Sequence, residues 1–294
     1  MDWRAALTSR LIAASTDDGA WGYGAGDAGW SEPTALAALA LIASDAAADQ
    51  IARPLNWLAR TQLSDGAVPV SRDIEGPFWP TALAVLAWLN APPEDRGSYT
   101  RCVETGVDWL LEAEGNPLTP NPAVYDHDTS LIGWSWVADT HSWIEPTSYA
   151  VAALRAVGRA LHPRTREGVE LILDRGLPDG GWNYGNRRVL ENVLRPFPAT
   201  TGVALTALAG EPRNAVIDQA AAYLNAELPR IRAPLSLAWS LLGLRAWDAA
   251  PPDAEMWLEE SAERLALTPA RPHYSAMLML AGAERYPLWT CFED

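Results

Sequence analysis

Residues 17–42 read DDGAWGYGAGDAGWSEPTALAALALI, and this stretch decides the fold. It passes from an Asp-Gly turn through a Gly/Trp loop to Pro33, then into a run made almost wholly of Ala and Leu. Proline suits the first turn of a helix, because its ring presets φ and its missing N–H would be unpaired there anyway. A helix that is apolar nearly all round has to be covered nearly all round. The segment therefore predicts a turn that delivers the chain to the start of a buried helix.

The same order recurs along the chain. Residues 65–89 read DGAVPVSRDIEGPFWPTALAVLAWL, residues 133–157 read GWSWVADTHSWIEPTSYAVAALRAV, and residues 179–208 read DGGWNYGNRRVLENVLRPFPATTGVALTAL. Shorter copies start at Arg232 (RAPLSLAWSLLGLRAW) and Arg271 (RPHYSAMLMLAGAER). Pro33, Pro80, Pro146, Pro198, Pro234 and Pro272 count six units. Amphipathic stretches alternate with them, roughly at 4–14, 47–62, 99–113, 164–175, 213–227 and 254–266. Six outer amphipathic helices alternating with six inner apolar ones predict an all-α (α/α)6 barrel, or toroid, filling 1–294 as a single domain. An open solenoid would carry a polar face on its last repeat, and the last inner helix here is as apolar as the others. Ala91-Pro92-Pro93-Glu94-Asp95 and Ala249-Ala250-Pro251-Pro252-Asp253 read as turns between hairpins, not as domain linkers.

Composition narrows the function classes. The chain has 22 basic and 37 acidic residues, a net charge of −15, and no cluster of Arg large enough to track nucleic acid. It contains no lysine, which removes Schiff-base and P-loop lysine chemistry. Cys102 and Cys291 are far apart and read as ordinary thiols. No run of some 18 apolar residues appears, so no transmembrane segment is expected, and the start Met1-Asp2-Trp3-Arg4 lacks the character of a secretory leader. A cytoplasmic location is expected.

Trp57-Leu58, followed by Gln62 and Gly66, resembles the QW motif of squalene and oxidosqualene cyclases, with Val68 in place of the closing Trp. Gly19-Ala20-Trp21 and Gly180-Gly181-Trp182 resemble the end of that motif, and Gly106…Trp109-Leu110 and Gly168…Leu171 its opening. The resemblance covers nearly the whole chain and points to the α/α-toroid superfamily of these cyclases and of protein prenyltransferase β subunits. It implies that Trp21, Trp57, Trp109 and Trp182 tie repeats together away from the site.

If all inner helices start at their prolines, their N-termini share one rim, ringed by Glu32, Trp79, Glu145, Phe197, Ala233 and Arg271. Such a rim suits an anionic group, and its acids can equally be helix-start carboxylates held by the dipole. The third repeat is the longest and carries Tyr125-Asp126-His127-Asp128-Thr129-Ser130. Asp-x-Asp-Thr-Ser is similar to the Asp-x-Asp-Asp-Thr motif of class II terpene cyclases, with Thr129 at the fourth position. The resemblance implies Asp128 as a neutral general acid, Asp126 as its partner, and Trp134, Trp136 and Trp143 as cation-stabilising rings. An Asp-rich capping loop is the alternative reading. His273 opens the last inner helix as does the zinc-binding His of protein prenyltransferase β subunits, but Arg232-Ala233-Pro234-Leu235 lacks the accompanying Asp-x-Cys. Asp126, His127, Asp128 and His141 form a second metal-capable set without a recognised spacing.

The expectation is a protonation-initiated isoprenoid cyclase-like enzyme without metal or cofactor. Its catalytic carboxylates would be Asp128, Asp126, Glu145 and Glu32. Its hydrophobic small-molecule substrate would meet His141, His273, Trp79, Trp134, Trp143, Phe197 and Arg271. A homodimer or a protein partner is compatible with this reading. The alternatives are a non-catalytic lipid- or peptide-binding toroid, and a glycan-processing barrel using Glu32 and Glu145.

Overall fold

The structure is a computed structural model that describes residues 2–121, 124–189, 192–286 and 288. Among the described residues twelve α-helices alternate between two layers: α1 (Trp3–Ala13), α2 (Ser31–Ala43), α3 (Ala48–Thr61), α4 (Thr81–Leu89), α5 (Pro93–Glu112), α6 (Ile144–Ala156), α7 (Pro163–Asp174), α8 (Pro198–Ala207), α9 (Ala215–Glu227), α10 (Pro234–Arg245), α11 (Ala254–Ala266) and α12 (Pro272–Ala281). The even-numbered helices form the inner layer. Each packs on the next, and α12 packs back on α2, so the ring closes. The protein is an α/α toroid. Among the described residues the one hairpin, β1 (Arg188–Val189) with β2 (Asn192–Val193), extends the loop before α8. No helix among them is long and apolar enough to cross a membrane.

Burial follows the sequence pattern. Every residue of α2 from Ala35 to Leu41 is essentially inaccessible, as is α4 from Ala82 to Trp88. The outer helices bury one face, such as Ile51, Leu55 and Leu58 of α3. Residues 93–95, expected as part of a turn, instead open α5, which starts six residues before the expected 99. Pro93 takes the first helical position and Glu94 and Asp95 face its positive end. Cys102 is a free thiol, and Cys291 lies outside the described residues.

One arrangement repeats in the loops. The indole N–H groups of Trp21, Trp134 and Trp182 donate to Leu11 O (2.7 Å), Leu110 O (2.9 Å) and Ile172 O (2.6 Å), carbonyls near the ends of α1, α5 and α7. The backbone N–H groups of the same tryptophans donate to Thr34, Thr147 and Thr201 Oγ1, each at 3.0 Å, on the following inner helices. In the second repeat Val68 N–H meets Thr81 Oγ1 at 2.8 Å. Gln62 Nε2 reaches the Gly66 and Cys102 carbonyls, joining its own loop to α5. Trp109 is not tied in this way; its ring lines a cavity described below.

Those threonines set the register of the inner helices. Thr34, Thr81 and Thr147 follow Pro33, Pro80 and Pro146 directly, whereas Thr201 stands three residues after Pro198. Pro33 and Pro146 are third in their helices, Pro80 precedes α4, and Pro198, Pro234 and Pro272 come first. The six prolines therefore count the repeats but do not mark one height.

Two backbone approaches admit only glycine. A Cβ on Gly202 of α8 would lie 2.1 Å from the Trp239 carbonyl oxygen of α10, and one on Gly243 would lie 2.6 Å from Gly202 O. Gly66 combines φ +96° with a Cβ position 2.0 Å from Thr105 O, because α5 passes directly over its turn. Gly97, exposed inside α5, has open space where its Cβ would stand. Replacing Gly66 by Ala should lower stability by about 2–4 kcal/mol, from strained φ plus overlap. Replacing Gly97 by Ala should raise it by about 0.5–1 kcal/mol. Urea midpoints shifting in opposite directions are the measurement.

Candidate functional site

The second residue of each of α2, α6, α8, α10 and α12 is Glu32, Glu145, Ala199, Leu235 and His273, and Trp79 holds the matching place before α4. These residues hold one level of the rim, and the set read from the prolines does not. Glu32, Trp79 and Glu145 belong to that level. Phe197 stands off it as the residue preceding α8, 42% exposed, its ring 4.9 Å from that of Tyr184. Arg271 precedes α12 and is exposed. His273 takes the place on that level instead.

Glu32 and Glu145 are largely buried, keep some accessible surface, and lie close enough for one charge to act on the other. Burial raises the Glu32 pKa, and the neighbouring Glu145 carboxylate adds to it. A hydrogen bond donated by the Tyr23 hydroxyl only partly offsets them, leaving the value at about 7. Burial also raises the Glu145 pKa, against a 2.6 Å hydrogen bond donated by Thr200 Oγ1. Two carboxyls enclosed together disfavour each other's ionisation, so Glu32 keeps its proton to a higher pH than an ordinary carboxyl.

Aromatic rings surround the pair. The Tyr149 phenol lies one helical turn beyond Glu145, is buried, and is held well above its ordinary pKa by burial and by Glu145 and Glu32. Its ring is 6.0 Å from Trp79 and 5.8 Å from Trp239 of α10. Trp79 meets Trp136 edge-on at 4.8 Å, and Tyr23 packs on Trp30 at 5.6 Å and on His273 at 5.1 Å. Burial, assisted by Arg271, lowers the His273 pKa to about 4, so its imidazole is neutral, and its buried Nδ1 finds no partner among the described residues.

The Asp-rich string sits elsewhere. Asp128 is exposed; its Oδ1 accepts the Ser130 N–H at 2.8 Å and the Ser130 Oγ at 2.6 Å, and its own N–H donates to Asp174 at the end of α7. These bonds to Ser130 lower its pKa. That is a capping carboxylate, ionised at neutral pH, and the reverse of the neutral buried acid expected for it. Asp126 points toward Arg187 (3.8 Å) and His127 (3.9 Å). His141 stacks on Trp143 at 4.8 Å, at the edge of the rim, with its pKa lowered by burial and by Arg175. Trp134 is buried and anchored through Leu110. Among the described residues no three His, Cys, Asp or Glu side chains gather as a metal set, so Asp126, His127, Asp128 and His141 do not form one.

Tyr23, Tyr149 and Thr200 escaped the sequence reading. The available signal was helical spacing: Tyr149 lies four residues after Glu145, and Thr200 occupies the place of Pro33 once the threonines are aligned.

No family model matches the chain, and neither does any curated protein. Solved structures do match in fold. The type II terpene cyclase MstE from Scytonema has a TM-score of 0.61 and 16% identity, over 88% of this chain and 78% of that one. The α-1,6-mannanase GH76A of Salegentibacter sp. HEL1_6 has a TM-score of 0.65 and 10% identity, over 96% and 98%. An α-amylase from Clostridium perfringens has a TM-score of 0.63 and 11% identity, over 95% and 96%. At such identities the likeness establishes the toroid and nothing finer.

Glu32 has a measurable pH signature. Between the ordinary carboxyl value of 4.5 and about 7 the native state keeps a proton that the unfolded chain has released, so Glu32 makes stability fall as pH rises. His273 and His127, with pKa values lowered to about 4, act in the opposite sense up to 6.5. Subtracting the two proteins' curves isolates the carboxyl. Glu32→Gln should gain stability relative to the wild type as pH goes from 5 to 8, read from urea unfolding at each pH.

Proposed function

We propose that the chain is a protonation-initiated isoprenoid cyclase-like enzyme in which Glu32 is the acid and Glu145 the base. One observation supports this above the others: a carboxyl with its pKa raised to about 7 stands beside a second buried carboxyl, with aromatic rings around them. A neutral acid in such surroundings can pass its proton to a carbon–carbon double bond, because water does not compete for it. The Glu32 O–H bond breaks, and the π electrons of the substrate's terminal double bond form the new C–H bond. The cation left behind is attacked by internal double bonds in turn, and the faces of Trp79 and Trp136 stabilise the charge. Loss of a proton from carbon to the Glu145 carboxylate then returns an electron pair to a new double bond. The Tyr23 hydroxyl, already bonded to Glu32, stabilises the carboxylate formed in the first step.

The substrate class is suggested by the apolar walls and by the fold neighbour MstE, which has been seen with geranylgeranyl dihydroxybenzoate as its substrate. A second reading rests on the same two carboxylates. Paired acids also serve glycoside hydrolysis, and the mannanase neighbour was seen with a mannotetraose. A binding-only toroid has no use for enclosed carboxyls with raised pKa values, and this counts against that alternative.

The test is incubation with geranylgeranyl-bearing substrates in deuterated water. The wild type should give cyclic product carrying one deuterium at the protonated carbon. Glu32→Gln should lose about 100-fold or more in rate, the usual scale for removing a general acid. Asp128→Asn, which keeps an acceptor for Ser130, should stay within about threefold, since it touches only the loop cap. Full turnover in Glu32→Gln would overturn the assignment. Release of mannose from α-1,6-linked oligomers, abolished by the same variant, would favour the second reading.

A further inference from the structure

A separate cavity of about 240 Å³ opens between α4, α5 and α6. Five aromatic rings line it: Phe78, Trp79, Trp109, Trp134 and Trp136. Trp79 also stacks on Tyr149, the phenol one turn beyond Glu145, and so joins this cavity to the paired acids. The only ionisable side chains in the lining are two carboxylates, Glu114 and Asp139. Both residues are exposed, and neither carboxylate has a hydrogen bond or ion pair among the described residues. Asn116 ties down the Asp139 backbone carbonyl at 2.7 Å, leaving its side chain free.

From this we infer that the cavity binds a small organic cation, an ammonium group carrying a short apolar arm. Three features converge on that chemistry. Aromatic faces attract a desolvated cation through their quadrupoles, and indole does so best. Free carboxylates of one sign raise the local concentration of cations and repel anions, in a chain already at −15. An enclosed apolar lining favours an alkylated ammonium over a hydrated metal ion or a bare ammonium, whose water would have to be stripped. Trp134 already receives a cation on one face: the Arg164 guanidinium lies 4.4 Å from its ring, its charge answered by Glu167 at 2.6 Å. Arg164 is not part of the lining, so the cavity itself holds no competing positive charge.

The experiment is a titration of the full chain with choline and with its neutral isostere 3,3-dimethylbutan-1-ol, followed by tryptophan fluorescence and calorimetry. Choline should bind about tenfold or more tighter than the alcohol, which fills the same shape without the charge. The double variant Glu114→Gln, Asp139→Asn should weaken choline about five- to tenfold and flatten its salt dependence, leaving the alcohol unchanged. These positions are exposed, so the fold is not at stake. Trp109→Leu should weaken both ligands, choline more. Equal affinities for the two ligands, no saturable choline binding, or choline binding indifferent to both variants would each overturn the inference. Binding is read without turnover, and Glu32→Gln should leave it intact, so failure here and failure of the cyclase reading are distinguishable.

Discussion

The bond from a loop N–H to a threonine Oγ1 inside the first turn of an inner helix fixes the height of four of the six repeats. Thr34, Thr81, Thr147 and Thr201 each accept it, and their hydroxyls stand where no side-chain N-cap exists. Orphan amides of a helix start have to find acceptors, and here the neighbouring repeat supplies some of them. Ser31 N–H goes to Val70 O, and Ile144 N–H to Tyr184 O. At α2 and α6 the rim is thus a belt in which the loop leading to one inner helix also closes the start of the inner helix before it. Glu32, Trp79 and Glu145 share one level because that belt fixes their backbones.

Enclosure by the ring then sets the chemistry. A carboxyl at the mouth of a helix on an open surface would be ionised and stabilised by the macrodipole. Glu32 is also at a helix start, yet burial and the nearby Glu145 outweigh the Tyr23 hydrogen bond and leave its pKa at about 7. Asp128 shows the contrast within one chain. It is solvated and accepts two hydrogen bonds from Ser130, so its charge is favoured.

The fold could be read from the sequence because each element carried its own physical mark. The Asp-Gly turns, the apolar runs and the alternating amphipathic stretches placed all twelve helices, with α5 starting earlier than its pattern suggested. The site was harder to read. The prolines stand before, first or third in their helices, so they could not say that Phe197 and Arg271 lie off the shared level while Ala199 and His273 lie on it. The threonines following Pro33, Pro80 and Pro146, displaced after Pro198, held that information. Glu32, Glu145, Trp79 and His273 were found as residues but not as a group with Tyr23, Tyr149 and Thr200, since a raised pKa is a property of enclosure. The Asp126–Asp128 string misled for the same reason: a motif gives residue types, and its role as an acid depends on what covers it.

The contact between Gly202 and Gly243 has a geometric consequence for the whole ring. Where α8 and α10 meet backbone to backbone, their axes are drawn closer than helices held apart by side chains, so the six axes do not mark a regular hexagon. Trp239 then reaches across from that pinched side toward Tyr149. Both carboxyls and Trp79 belong to the other arc, at the starts of α2 and α6 and just before α4, so the ring's tightest backbone contact and its paired acids fall on different sides.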